Sequence, residues 1–108
     1  MGAALLADDG RVFTGTNVEN ASIGLSICAE RSAVCQAVAA GARCFEAIAI
    51  FTDTASPTPP CGACRQVLVE FTPDLTVLLC GRGGVVEKHR LSNLLARPFL
   101  RLESGGDA

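Results

Sequence analysis

At 108 residues, 49% of them apolar and with only five aromatics, all Phe, the chain is long enough for one aliphatic core and does not have the composition of a disordered segment. A formal net charge of −2 and scattered basic residues argue against a nucleic-acid partner held by phosphate neutralisation. The apolar run at residues 2–7 lacks a basic flank for a signal peptide, and no run approaches membrane-spanning length; a cytoplasmic protein with no membrane partner is expected. In that reducing setting, six cysteines point to metal or catalysis before disulfides.

Taken in chain order, residues 2–7 and 11–16 are two short strands around Asp8-Asp9-Gly10, a hairpin turn signal. A polar loop over residues 17–24 follows. From Ile27 the spacing of Ile27, Val34 and Val38 predicts a helix closing at Gly41, with Ser26 as its N-cap. Residues 47–51 (AIAIF) read as a strand buried on both faces. After a loop over 53–60, residues 61–71 read as a helix stopped by Pro73, with Thr58 as a possible cap and a proline in the first turn. Residues 76–80 (TVLLC) form another buried strand, 81–84 a turn, 85–88 a last strand and 91–95 a short helix. Residues 103–108 read as a loose tail. The order predicts a single layered α/β domain over residues 1–108, with a mixed sheet covered by helices.

Two stretches carry the chemistry. SICAERSAVCQAV places Cys28, Glu30 and Arg31 at the start of an otherwise apolar helix, and PTPPCGACRQVLVEF places Cys61 and Cys64 at the start of another. Helix N-termini stabilise thiolates through free N–H groups and partial positive charge. Three thiolates converging from two helix starts suit Zn²⁺ with a fourth position left for water. Glu30, two residues from a ligand, is placed to carry protons to and from that water. Arg31 and Arg65, each adjacent to this set, can offset the thiolate charge by hydrogen bonding. Each residue also has a plainer reading. C-x-x-C alone is a weak signal shared with redox pairs, and Glu30 alone would be a solvated helix charge. Asn17 and Glu19 alone would be a turn residue and a surface carboxylate. Cys35, Cys44 and Cys80 have no spacing partner and read as small hydrophobes.

The combination of NVENAS (residues 17–22), ICAER (27–31) and PCGACRQVL (60–68) resembles cytidine deaminase, the small three-cysteine type of the zinc nucleoside deaminase superfamily. The likeness runs through residue 79, with a weaker echo at residues 94–99. It implies a three-layer α-β-α sandwich around a mixed five-stranded sheet, and zinc on Cys28, Cys61 and Cys64. It also implies that Glu30 shuttles protons to N3 and the leaving amino group as cytidine or 2′-deoxycytidine becomes the uracil nucleoside in pyrimidine salvage. By the same resemblance Asn17 and Glu19 hold the ribose 3′-hydroxyl, the backbone at Ala29 faces the pyrimidine edge, and Phe99 is the family's C-terminal Phe. A homotetramer with sites shared between subunits is expected.

The chain departs from that pattern in two places. Met1 stands where the family has Val, so the first helix and a pyrimidine-packing Phe are expected to be missing. Ile23 stands where the family has a Tyr that reaches a neighbouring site. A widened pocket leaves open a modified or bulkier cytosine nucleoside as substrate, as in blasticidin-type deaminases. The non-enzyme alternative is a structural zinc module.

Overall fold

The computed structural model describes residues 1–100; the tail expected at residues 103–108 lies outside the described residues. β1 (Gly2–Ala7) and β2 (Val12–Thr16) form the predicted hairpin, with Gly10 at φ 90°, a left-handed value that the turn requires and a side chain would resist. β3 (Phe45–Phe51), β4 (Thr76–Cys80) and β5 (Val86–Arg90) complete a five-stranded sheet of order β2-β1-β3-β4-β5. Only β3 and β4 are parallel, so a crossover must join them, and helix α2 (Gly62–Phe71) supplies it.

Alternation along the strands sorts their side chains onto two faces. One face carries Ala3, Leu5, Ala7, Ile48, Ile50, Val77 and Leu79, all buried. Helix α1 (Ala29–Ala39) packs on it over β1 and β2, presenting Ala29, Ala33 and Ala37 with no exposed surface. α2 adds Leu68 and Val69 to the same core, and α3 (Leu91–Leu94) sits beside α2 with Leu91 buried. The opposite face, with Gly2, Ala4, Leu6, Ala47, Ala49, Leu78 and Cys80, is only half-buried. A shallow apolar depression of about 240 Å³ opens there, between Ala4, Ala49, Phe51 and Cys80. No helix lies across that face among the described residues. None of the described helices is long and apolar enough to cross a membrane.

The element boundaries differ from expectation at the two helix starts, where a cysteine holds each N-cap position. α1 begins at Ala29 with Cys28 as its N-cap; Ser26 instead closes the preceding turn, its Oγ accepting from Asn20 N–H at 3.1 Å. α2 begins at Gly62 with Cys61 as its N-cap, and the Cys61 sulfur accepts from the Cys64 N–H at 3.4 Å. Thr58 therefore caps nothing, and Pro59 and Pro60 precede the helix rather than fill its first turn. α1 stops before Gly41, whose φ of 91° ends the helix at the predicted residue.

Topology brings the two ligand-bearing loops together. Gly2 in β1 pairs with Thr16 at the end of β2 and with Phe51 at the end of β3. Both strands thus run out at the same edge of the sheet, one leading to Cys28 and the other to Cys61. Because the aliphatic face carries this arrangement, truncating its centre is costly: Ile48→Ala is expected to lower stability by about 2–5 kcal/mol in denaturant unfolding, with an unchanged m-value.

Candidate metal centre

The three cysteines expected to act together do meet. The Cys28 and Cys61 sulfurs are 3.8 Å apart, those of Cys61 and Cys64 3.4 Å, and all three lie within 4.8 Å of one another. A tetrahedral zinc with bonds of about 2.3 Å to sulfur holds its ligands about 3.8 Å apart. The trio therefore fits the ion, and three protein ligands leave a tetrahedral metal one position for water. Cys64 is fully buried, Cys28 half-buried and Cys61 exposed, so the cluster opens to solvent on one side.

Electrostatics at the trio follow from this crowding. Burial pushes the Cys64 thiol well above the usual range, and the neighbouring Cys61 thiol and the Glu30 charge push the same way. Burial acts in that direction on Cys61 too, but the Cys64 N–H and the two neighbouring thiols outweigh it, and its pKa falls below the usual value. The more enclosed sulfur, Cys64, is therefore the one that holds its proton more tightly. Arg31 donates to the Cys28 sulfur at 3.4 Å and to the Ser26 carbonyl at 3.5 Å, and the bond to Cys28 raises its own pKa. This is the charge-offsetting contact expected of Arg31.

Arg65 does not share that task. Its Nε donates to the Pro60 carbonyl at 2.8 Å and its Nη1 to the Leu94 carbonyl at 2.6 Å. It braces the residue before Cys61 against α3 rather than reaching a thiol. Its sequence neighbourhood to Cys64 misled, because at the next helix position a side chain turns away by about 100°.

Glu30 is 2% exposed, and its Oε1 is a buried oxygen with no hydrogen-bond partner. A carboxylate enclosed this way without a partner is costly, and it marks a place where a ligand supplies the missing donor. Glu30 follows Cys28 by two residues in the first turn of α1, and its charge adds to the rise in the Cys64 pKa. Ala29, between Cys28 and Glu30, is fully buried.

Asn17 Nδ2 donates to Glu19 Oε2 at 3.0 Å, forming a small polar pair. Val18 and Ile27 exchange backbone hydrogen bonds of 2.8 and 2.9 Å, which tie this pair's loop to the residue before Cys28. Sequence reasoning missed that bridge, because Val18 and Ile27 stand in a loop that also holds Ile23 and Leu25, with no periodicity to single out the pair. Phe99 is 75% exposed, and its carbonyl accepts from Gln66 Nε2 on α2. Ile23 is likewise exposed at 85%, in the short 3-10 turn Ile23–Leu25.

Three thiols around one small volume, with a buried carboxylate beside them, define a zinc-thiolate hydrolytic centre rather than a redox pair, because a dithiol switch would use two of the sulfurs and leave Glu30 without purpose. Residues 1–80 match the family described as the cytidine and deoxycytidylate deaminase zinc-binding region. The cytidine deaminase of Halalkalibacterium halodurans is 49% identical over 100 residues, covering 92% of this chain and 76% of that protein. That of Mycobacterium tuberculosis is 51% identical over 99 residues, covering 92% of this chain and 71% of its own length. The crystal structure of the Burkholderia pseudomallei cytidine deaminase superposes with a TM-score of 0.88 at 50% identity, over 91% of this chain and 80% of that one. The chain belongs to the cytidine and deoxycytidylate deaminase family, and its cofactor is zinc.

Zinc must displace protons from these thiols before it binds. Affinity is therefore expected to rise from pH 6 to pH 8, by about tenfold per pH unit for each proton released. Chelator competition across that range checks it; a flat profile would mean that the thiols are already ionised.

Proposed function

We propose that the protein is a zinc-dependent cytidine deaminase, converting cytidine and 2′-deoxycytidine with water to uridine and 2′-deoxyuridine, with release of ammonia. The observation that carries this reading is Glu30: a buried carboxylate oxygen without a partner, set against three convergent thiols. The similarity to proteins named as cytidine deaminases supports the substrate class.

Cys28, Cys61 and Cys64 would hold the ion, which when bound supplies a water acidic enough to attack near neutral pH. Glu30 takes a proton from the attacking water and delivers it to ring N3 as the new C4–O bond forms. The same carboxylate then moves the second water proton to the exocyclic amine, which departs as ammonia and leaves the C4 carbonyl. The Ala29 backbone at the helix start faces the pyrimidine edge. Asn17 and Glu19, already paired, offer a donor and an acceptor to the sugar hydroxyls. Arg31 restrains the charge on Cys28, so that the three thiolates do not quench the ion's Lewis acidity.

In this reading residues 1–108 form one catalytic domain working in pyrimidine salvage in the cytoplasm, and the working unit is a homotetramer with shared sites. Support for assembly comes from the apolar residues left exposed around the centre: Val18, Ile23, Leu25, Ile27 and Phe99. A second copy would cover these residues and would give the Phe99 ring a site to reach.

The test is ammonia release from cytidine by the zinc-loaded protein, with Glu30→Gln beside it. The variant is expected to retain zinc and to lose at least about 10²-fold in kcat. Full turnover by Glu30→Gln would remove Glu30 from the chemistry. Zinc retention without turnover in the unsubstituted protein would overturn the assignment of substrate.

A further inference from the structure

Gly15 lies in β2, outside every motif that carries the chemistry. A Cβ built on it would stand 2.4 Å from the Ala29 carbonyl oxygen, 2.4 Å from the Ala33 nitrogen and 3.0 Å from the Ala33 Cα. All three atoms are backbone, so no side chain can swing aside. In α-helical geometry the Ala33 N–H donates to the Ala29 carbonyl. The bare Cα of Gly15 therefore rests directly on a backbone hydrogen bond in the first turn of α1.

The strand register explains why the helix comes so close at that point. Across the helix-bearing face, Gly15 pairs with Ala3, Ala3 with Ile50, and Ile50 with Leu79. The adjacent row on the same face is Phe13, Leu5, Ile48 and Val77. The first row therefore falls away in volume toward β2, from Leu and Ile through Ala to Gly, whereas the second stays large throughout. Under the start of α1 that row presents only a glycine and an alanine. The helix meets this floor with Ala29 and Ala33, neither with any exposed surface.

We infer that Gly15 is a positioning residue for the zinc centre: its missing side chain sets the height of the α1 N-terminus above the sheet, and with it the places of Cys28 and Glu30. Ala29 is the residue between those two, so whatever lifts its carbonyl lifts both. Cys61 and Cys64 ride on a different helix and would stay behind. Carbon makes ordinary contact with neighbouring heavy atoms at about 3.5 Å, so an alanine at position 15 requires a shift of about 1 Å. Zinc sites tolerate only about 0.2 Å in ligand distance. The displacement exceeds the tolerance several-fold, and relaxation elsewhere has to absorb the rest.

The inference rests on the zinc centre described above and is tested on metal binding, so that it stands or falls apart from the choice of substrate. Gly15→Ala is compared with Gly2→Ala, a glycine of the adjoining strand whose added Cβ would meet nothing nearer than the Gly15 carbonyl at 3.9 Å. Zinc affinity by chelator competition and the thiolate-to-metal absorption of the cobalt-loaded protein are read together with far-UV circular dichroism. Gly15→Ala is expected to keep its helix signal, lose about 10- to 100-fold in zinc affinity and shift the cobalt band, while Gly2→Ala changes neither. Where Gly15→Ala is recovered unfolded, Ala33→Ser adds a single atom from the helix side of the same contact, and the same loss of affinity is expected. A folded Gly15→Ala, or in its place a folded Ala33→Ser, with unaltered zinc affinity and cobalt spectrum would overturn the inference. Turnover of cytidine by the unsubstituted protein, measured in parallel, separates that outcome from a failure of the proposed reaction.

Discussion

Three sulfurs held within 4.8 Å are the constraint to which the rest of the structure answers. Two full negative charges about 4 Å apart repel by roughly 4 kcal/mol even at the screening found near a protein surface, and a third charge multiplies the conflict. The fold counters this with two helix N-termini aimed at the cluster, Arg31 against Cys28, and a Cys64 that keeps its proton until a cation arrives. Such help lowers the repulsion without removing it. A dication does remove it, which is why the same geometry that strains the free protein gives a metal site. The sheet contributes by ending β2 and β3 at one edge, so that two loops distant in sequence deliver their thiols to one point.

Glu30 belongs to the same balance. It adds a negative charge beside an already crowded trio and raises the Cys64 pKa further. Nothing about stability asks for a carboxylate there, since a buried one with an idle oxygen costs free energy. Its presence makes sense for a centre that must move protons. The contrast with Arg65 is instructive: that guanidinium is satisfied by two backbone carbonyls and serves the architecture.

Much of the fold was legible in the residues. The strands Gly2–Ala7 and Thr76–Cys80 fall where apolar runs bounded by turn signals put them, and Gly41 closes α1. The metal trio was legible because helix-start spacing and thiol chemistry agree. The caps were not, because cap preferences are learned from oxygen side chains, and Ser26 and Thr58 are the conventional choices; here the ligand cysteines occupy the cap positions themselves. The direction of Arg65 depends on helix phase and on α3, which lies far along the chain. Gly15 gave no local signal at all: its importance comes from a helix that touches it only after the sheet is assembled. Phe99 was placed by its resemblance to a family position, and the fold leaves it exposed.

The pair of backbone hydrogen bonds between Val18 and Ile27 has a consequence for how the molecule can diversify. They close the base of the loop between them, so the chain enters and leaves at two clamped points whatever happens at the tip. Asn17 stands just outside the clamp on one side and Cys28 just outside on the other. The tip around Ile23, beyond Glu19, can therefore change while Asn17 and the first metal ligand keep their places. Substitution at Ile23 is the kind of change this architecture absorbs, and lineages can explore new contacts there without reinventing the centre beneath.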